Sequence, residues 1–188
     1  MSDRLRASGR VPWPFAAVTV AAALVVLGAC GPASQPGTHS PTGSAPQLAA
    51  GKTVPAQLQF TTTTVEGKEF SGASLLGKPA VLWFWAPWCS TCQSEAPMMG
   101  RLAQTHPTVT FVGVASESQL PAMQEFVKKY PVKSFVQLAD TTGAVWAKFG
   151  VTEQPAFAFL NRDGHIDVVK GPMSDTELTK RLAVLTGT

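Results

Sequence analysis

Apolar and polar positions change period several times along the chain, and each change marks an element. Pro79 to Trp85 is continuously apolar, which predicts a strand buried on both faces of a mixed or parallel sheet. Val109 to Ala115 is the next apolar strand. Between them a helix is expected from Cys89 to about His106, bent by Pro97. Leu120 to Tyr130 then carries Met123, Phe126, Val127 and Tyr130 at helical spacing. A short strand at Phe135 to Leu138, a short helix at Ala144 to Phe149 and a strand at Ala156 to Leu160 follow. Asn161-Arg162-Asp163-Gly164 is turn chemistry that links this strand to another at His165 to Val169. Ser174 and Glu177 have capping-box spacing and open a last helix with Leu178, Leu182 and Leu185 on one face. Upstream, Leu58 and Phe60 alternate with polar residues in Gln57 to Thr64, and Glu66-Gly67-Lys68 turns the chain into Glu69 and Phe70. That pattern predicts a hairpin, followed by a turn with one short helical piece over Ser71 to Gly77.

The front of the chain has a different character. Arg4, Arg6 and Arg10 precede an apolar stretch from Phe15 to Leu27, the layout of a secretory signal and short for a membrane span. It ends in Leu27-Gly28-Ala29-Cys30, which resembles the bacterial lipobox. That likeness implies a signal peptide over 1–29 and lipidation of Cys30, which becomes the first residue of the mature chain. An uncleaved anchor helix, or cleavage after Ala29 with Cys30 left as a thiol, are the alternatives. Residues 30–52 are rich in Pro, Ser, Thr, Gly and Ala with no helical or strand period. They read as a tether with a coil-like span of roughly 25 Å.

Charge excludes more than it suggests. The chain has 15 Lys plus Arg against 12 Asp plus Glu, but the signal region holds three of the bases and one acid, so the remainder is nearly neutral. No basic stripe or aromatic-basic interleaving points to nucleic acid. Residues 53–188 suffice for one domain with a hydrophobic core.

The chemistry lies in Trp88-Cys89-Ser90-Thr91-Cys92, which places two thiols one helical turn apart directly after a buried strand. A sulfur at the opening of a helix meets free backbone N–H groups and the positive end of the helix dipole, and both favour thiolate. First cysteines of such pairs have pKa values of about 3.5 to 7 rather than about 8.5. Cys89 is therefore read as the nucleophile, and Cys92 as the thiol that resolves a mixed disulfide formed at Cys89. A structural zinc site would need four ligands. Only one cysteine pair is present, and His39, His106 and His165 are scattered, so no metal site is expected. With Cys30 lipidated, the three cysteines of the chain divide into one anchor and one redox pair.

The order of elements and four local matches resemble the thioredoxin fold, and more narrowly its exported TlpA, ResA and DsbE branch, nearest to actinobacterial DsbE/DsbF-type lipoproteins. The matches are Phe84-Trp85-Ala86-Pro87-Trp88-Cys89, Cys89-x-x-Cys92-x-x-Glu95-x-Pro97, Gln154-Pro155 before a strand, and Gly164 in the last hairpin. The resemblance covers residues 53–188. It implies an α/β thioredoxin fold, a central mixed sheet flanked by helices, with an N-terminal β-hairpin extension and a central insertion over Ser116 to Ala139.

The same resemblance implies a cis bond at Gln154-Pro155, facing the redox pair, and a role for Glu95 in tuning the thiols or relaying the Cys92 proton. An exposed acid favoured by the helix dipole is the other reading of Glu95. Trp88 is expected to cover the disulfide and offer clients a flat apolar surface, with Trp83 and Trp85 in the core. One departure stands out: thioredoxin has a buried aspartate six residues before its first cysteine, and here that position is Trp83. Cys92 would then lack the thioredoxin route for deprotonation.

Function follows as an expectation: a thiol-disulfide oxidoreductase without a cofactor, lipid-anchored on the extracytoplasmic face of the cell membrane. It would oxidise reduced secreted proteins and be reoxidised by a membrane partner of the DsbB or VKOR kind. The alternative is a reductase for apocytochrome c or another exported client, fed by a CcdA-like donor. Ser90 and Thr91 could donate hydrogen bonds to the Cys89 thiolate and so favour the oxidising direction. A copper carrier of the Sco type fits poorly, since it needs CxxxC and a distal histidine, and a peroxidase is disfavoured by the absence of PxxxTxxC.

Overall fold

The computed structural model describes residues 53–187. The expected signal peptide, Cys30 and the tether lie outside the described residues. In chain order the elements are β1 (Thr61–Thr63), β2 (Glu69–Ser71), β3 (Ala80–Trp85), α1 (Ser90–Thr105), β4 (Thr110–Ala115), α2 (Leu120–Lys129), β5 (Val136–Ala139), α3 (Ala144–Lys148), β6 (Ala156–Leu160), β7 (Ile166–Lys170) and α4 (Asp175–Thr186). β1 and β2 form an antiparallel hairpin, and the remaining strands form one sheet in the order β5-β4-β3-β6-β7. β3 pairs parallel with β4, and β4 with β5, whereas β6 runs antiparallel to both β3 and β7.

The continuous apolar run of β3 has its cause in this sheet. As the middle strand it is covered on both faces, and all six of its residues are buried. Val81, Trp83 and Trp85 pack with Met99 and Leu102 of α1, Phe126 of α2 and Leu178 and Leu182 of α4. Leu82 and Phe84 point the other way, into a cluster with Val145 and Trp146 of α3 and Leu58 and Leu75 of the N-terminal extension. Burial of side chains such as Leu82 and Phe84 contributes about 1.5 to 3 kcal/mol each. The Trp85 ring stacks on Phe126 with centroids 4.0 Å apart, which fixes α2 against the sheet.

The start of the hairpin and the α4 cap differ from the sequence reading. The expected first strand of the hairpin, from Gln57, begins only at Thr61, because Ala56–Leu58 is a 3-10 turn. Leu58 N–H donates to the Pro55 carbonyl at 2.9 Å, and the turn drops Leu58 into the core instead of onto an alternating strand face. The capping box at α4 is half made: Ser174 Oγ accepts from Glu177 N at 3.2 Å, but the Glu177 carboxylate accepts from Arg181 Nε instead. α1 runs without interruption through Pro97.

The Ser116 to Ala139 stretch supplies α2 and the edge strand β5. That edge is blunted by the hairpin, through a bridge of Thr64 to Leu138 and a Val65 N–H donated to the Gln137 carbonyl at 2.9 Å. Exposed sheet edges template aggregation, and the extension covers this one.

Candidate functional site

The site forms where β3 ends. After Trp85 the chain turns through Ala86-Pro87-Trp88, closed by a Cys89 N–H bond to the Ala86 carbonyl at 3.1 Å. Cys89 is the N-cap of α1. Its sulfur accepts from the backbone N–H of Cys92 at 3.0 Å, in the manner of a capping oxygen satisfying an orphan donor. Cys89 and Cys92 are joined by a disulfide with Cα atoms 5.3 Å apart. Cys89 keeps 6 % exposure and Cys92 none, so Cys89 is the member of the pair nearer to solvent.

Gln154–Pro155 is cis, as the resemblance implies. Phe84 pairs with Ala156 across β3 and β6, so one register step further puts Pro155 level with Trp85, at the end of the sheet from which α1 departs. The Pro155 carbonyl accepts from Gly171 N at 2.9 Å, which ties this loop to the end of β7.

Glu95 lies one turn beyond Cys92 on the same buried face of α1. The reading of Glu95 as an exposed acid is corrected by the structure: it is only 7 % exposed. One carboxylate oxygen accepts from Trp83 Nε1 at 3.1 Å, the other from Met173 N at 3.0 Å. Burial raises its pKa above the ordinary value of 4.5, and the bonds from Met173 and Trp83 oppose that rise without cancelling it. The missing aspartate at position 83 therefore has a counterpart: the indole that replaces it hydrogen-bonds an acid delivered from the helix. Sequence reasoning treated Trp83 and Glu95 separately, and neither their spacing nor Met173, far along the chain, carried a signal of the pairing.

Trp88 is 58 % exposed. Its indole Nε1 donates to the Glu117 carbonyl at 3.0 Å, in the loop between β4 and α2. Glu117 was not anticipated, because it contributes a backbone atom that no motif encodes. Cys89, Cys92, Glu95 and Trp88 thus lie along the first turns of α1 and the loop before it, and Gln154 and Pro155 approach from β6. Such an arrangement can accept a client sulfur at Cys89, expel Cys92 and reverse the step.

Comparison with known proteins agrees with this geometry. Residues 49–183 match the Redoxin family. The soluble secreted antigen MPT53 of Mycobacterium tuberculosis is 50% identical over 133 residues, 69% of this chain and 76% of the relative. Thiol-disulfide oxidoreductase ResA of Bacillus cereus is 29% identical over 143 residues, 74% of this chain and 80% of the relative. Among solved structures, MTB dsbF in mixed oxidised and reduced forms is 67% identical with a TM-score of 0.70, over 71% of this chain and 99% of that one. A secreted Mycobacterium tuberculosis disulfide oxidoreductase homologous to E. coli DsbE has a TM-score of 0.66 at 50% identity, over 69% of this chain and 98% of that one. The chain belongs to the Redoxin family, and within it is a thiol-disulfide oxidoreductase of thioredoxin fold.

Proposed function

We propose that this protein is an exported, membrane-tethered oxidase that passes its Cys89–Cys92 disulfide to reduced client proteins outside the cytoplasm. The observation that carries the direction is the Cys92 N–H held 3.0 Å from Cys89 Sγ at the start of α1. The same donor, with the helix dipole, stabilises a Cys89 thiolate once the disulfide is opened. Stabilising the reduced form makes the disulfide more oxidising.

A client thiolate attacks Cys89 Sγ, the Cys89–Cys92 bond breaks, and Cys92 leaves as a thiolate that takes up a proton. Glu95, a buried carboxyl one turn away, supplies that proton and takes it back when the step reverses. A second client thiolate attacks the client sulfur of the mixed disulfide and expels Cys89 as thiolate. Two electrons pass from client to pair, and a membrane oxidant of the DsbB or VKOR kind removes them. Trp88, which precedes Cys89, and the Gln154–Pro155 loop at the same end of the sheet contact the client.

An extracytoplasmic address is supported by the signal-like front of the chain and by relatives described as secreted. Lipidation at Cys30 and a tether over 30–52 complete the proposal. Cys30→Ser is expected to move the protein from the membrane fraction to the soluble one.

The test of direction is equilibration with glutathione buffers together with the oxidation of reduced, unfolded ribonuclease. A potential nearer that of DsbA, about −120 mV, than that of thioredoxin, about −270 mV, with recovered nuclease activity, supports the oxidase. The likeness to ResA favours a reductase as the second reading, and a potential near thioredoxin's with no recovered nuclease would establish it instead.

A further inference from the structure

Among the described residues, Glu117 is the one non-glycine position with positive φ, at +53°. Left-handed backbone is unfavourable for a residue with a Cβ and persists where the surroundings enforce it, often at functional sites. Here both sides of the loop are pinned. Ser116 is buried, donates its N–H to the Trp85 carbonyl at 3.1 Å and its hydroxyl to the Asp140 carbonyl at 2.8 Å. Three residues on, the Gln119 carbonyl accepts from Ala122 N at 3.1 Å and starts α2. Glu117 lies between these anchors, and its carbonyl receives the indole N–H of Trp88 at 3.0 Å.

That bond joins two loops that are otherwise far apart in sequence. Trp88 precedes the accessible cysteine, and more than half of its surface is open. An exposed aromatic side chain without a tether would sample several rotamers, and a client would bear the entropic cost of ordering it. The Trp88 loop is itself held from beneath by Gln93 Nε2, which donates to the Pro87 carbonyl at 2.9 Å.

We infer that Glu117 is a positioning residue for client recognition: its left-handed backbone aims a carbonyl at Trp88 Nε1 and fixes the indole as a preformed platform beside Cys89. The client class is an extended or unfolded polypeptide, whose apolar side chains lie on the ring face while its cysteine reaches Cys89. The role belongs to the backbone of Glu117, so the carboxylate is dispensable. This inference rests on the proposed exchange with protein clients.

A double-mutant cycle tests it, with KM and kcat measured for oxidation of reduced, unfolded ribonuclease. Trp88→Phe keeps a ring and removes the donor; Glu117→Val keeps a carbonyl but resists positive φ. Each is expected to raise KM about three- to tenfold, the worth of one net hydrogen bond, with kcat maintained. The double variant is expected to be no worse than either single one, because both remove the same bond. Glu117→Gly, which adopts positive φ readily, and Glu117→Gln are expected to keep the native KM. Additive penalties, an unchanged KM in Glu117→Val, or a Glu117→Gln as impaired as Glu117→Val would overturn the assignment. A wild-type protein that leaves ribonuclease reduced defeats the oxidase reading and not this one, since the same cycle then runs on insulin reduction with the same expectations.

Discussion

Trp83 Nε1 and a carboxylate oxygen of Glu95 lie 3.1 Å apart, linking the central strand β3 to the helix that carries the redox pair. Both residues are buried, so the bond forms in a low-dielectric setting where its loss is costly. The second carboxylate oxygen receives Met173 N–H from the segment before α4. Glu95 therefore fastens three separate parts of the chain beside Cys92, and it does so with a group whose charge is opposed by burial.

That opposition makes stability depend on pH in a defined direction. With its folded pKa raised above 4.5, Glu95 keeps its proton in the native state after the unfolded chain has lost it. The native state then binds more protons, so unfolding free energy falls as pH rises through the window from about 4.5 up to the folded pKa, and levels off above it. Urea midpoints of the disulfide-intact protein across this range, compared with Glu95→Gln, isolate the contribution. The wild type is expected to lose stability relative to the variant as pH rises, and a difference independent of pH would refute the assignment.

Trp83→Phe removes the indole donor and leaves one Glu95 oxygen without its partner. Leaving a buried acceptor unsatisfied costs about 1 to 3 kcal/mol, and the smaller ring adds a packing loss. Because the Trp83 bond lowers the Glu95 pKa, its loss shifts the pH window of the previous experiment upward. Repeating the urea series on Trp83→Phe tests both effects, and a variant with the native pH profile would show that the indole does not set this titration.

How far the sequence disclosed these relationships depends on their range. β3 and β4 were legible because a strand covered on both faces must be apolar throughout, and α2 because Met123, Phe126 and Val127 share one buried stripe. The turn at Asn161 was legible because its side chain makes a local bond, Oδ1 accepting from Asp163 N and His165 N. The Leu58 region is ambiguous in sequence, since one short apolar alternation suits a strand or a 3-10 turn, and only the burial of Leu58 against α3 and β3 decides it. Cys89 and Cys92 were visible as a motif, and Glu95 only through the resemblance. Its partners Trp83 and Met173, and the Glu117 carbonyl that holds Trp88, are contacts across 12, 78 and 29 residues, which no local pattern encodes.

The unequal exposure of the two sulfurs predicts unequal phenotypes. Cys89 is the accessible one, so Cys89→Ser is expected to abolish exchange with clients. Cys92→Ser leaves the attacking sulfur but removes the thiol that resolves the intermediate, and mixed disulfides with client proteins are expected to accumulate. Non-reducing gels and intact mass measurements of both variants, after incubation with reduced ribonuclease in the presence of oxidised glutathione, separate these outcomes. Equal behaviour of the two variants would show that the assigned roles are wrong.

Gly100 sits in the interior of α1, where glycine costs a helix about 1 kcal/mol relative to alanine, so a local argument predicts that Gly100→Ala stabilises. Packing reverses that sign. A Cβ at this position would lie 1.9 Å from the Pro131 carbonyl oxygen, a backbone atom in the segment between α2 and β5 that cannot rotate away. Ser134 Oγ also donates to the Gly100 carbonyl at 3.4 Å, so the same stretch grips the helix at two points. Overpacking of this kind costs about 1 to 3 kcal/mol, which outweighs the gain in propensity. Gly100→Ala is therefore expected to lower the urea midpoint without changing the m-value. The displaced segment leads into Gln137, whose side chain accepts from Trp85 Nε1 at 3.1 Å and donates to the Val132 carbonyl at 2.9 Å. A shift in the Pro131 segment strains that pair, so the near-ultraviolet dichroism of the tryptophans is expected to change along with stability. A stabilised variant with native dichroism would mean that the helix and this segment do not approach as closely as described.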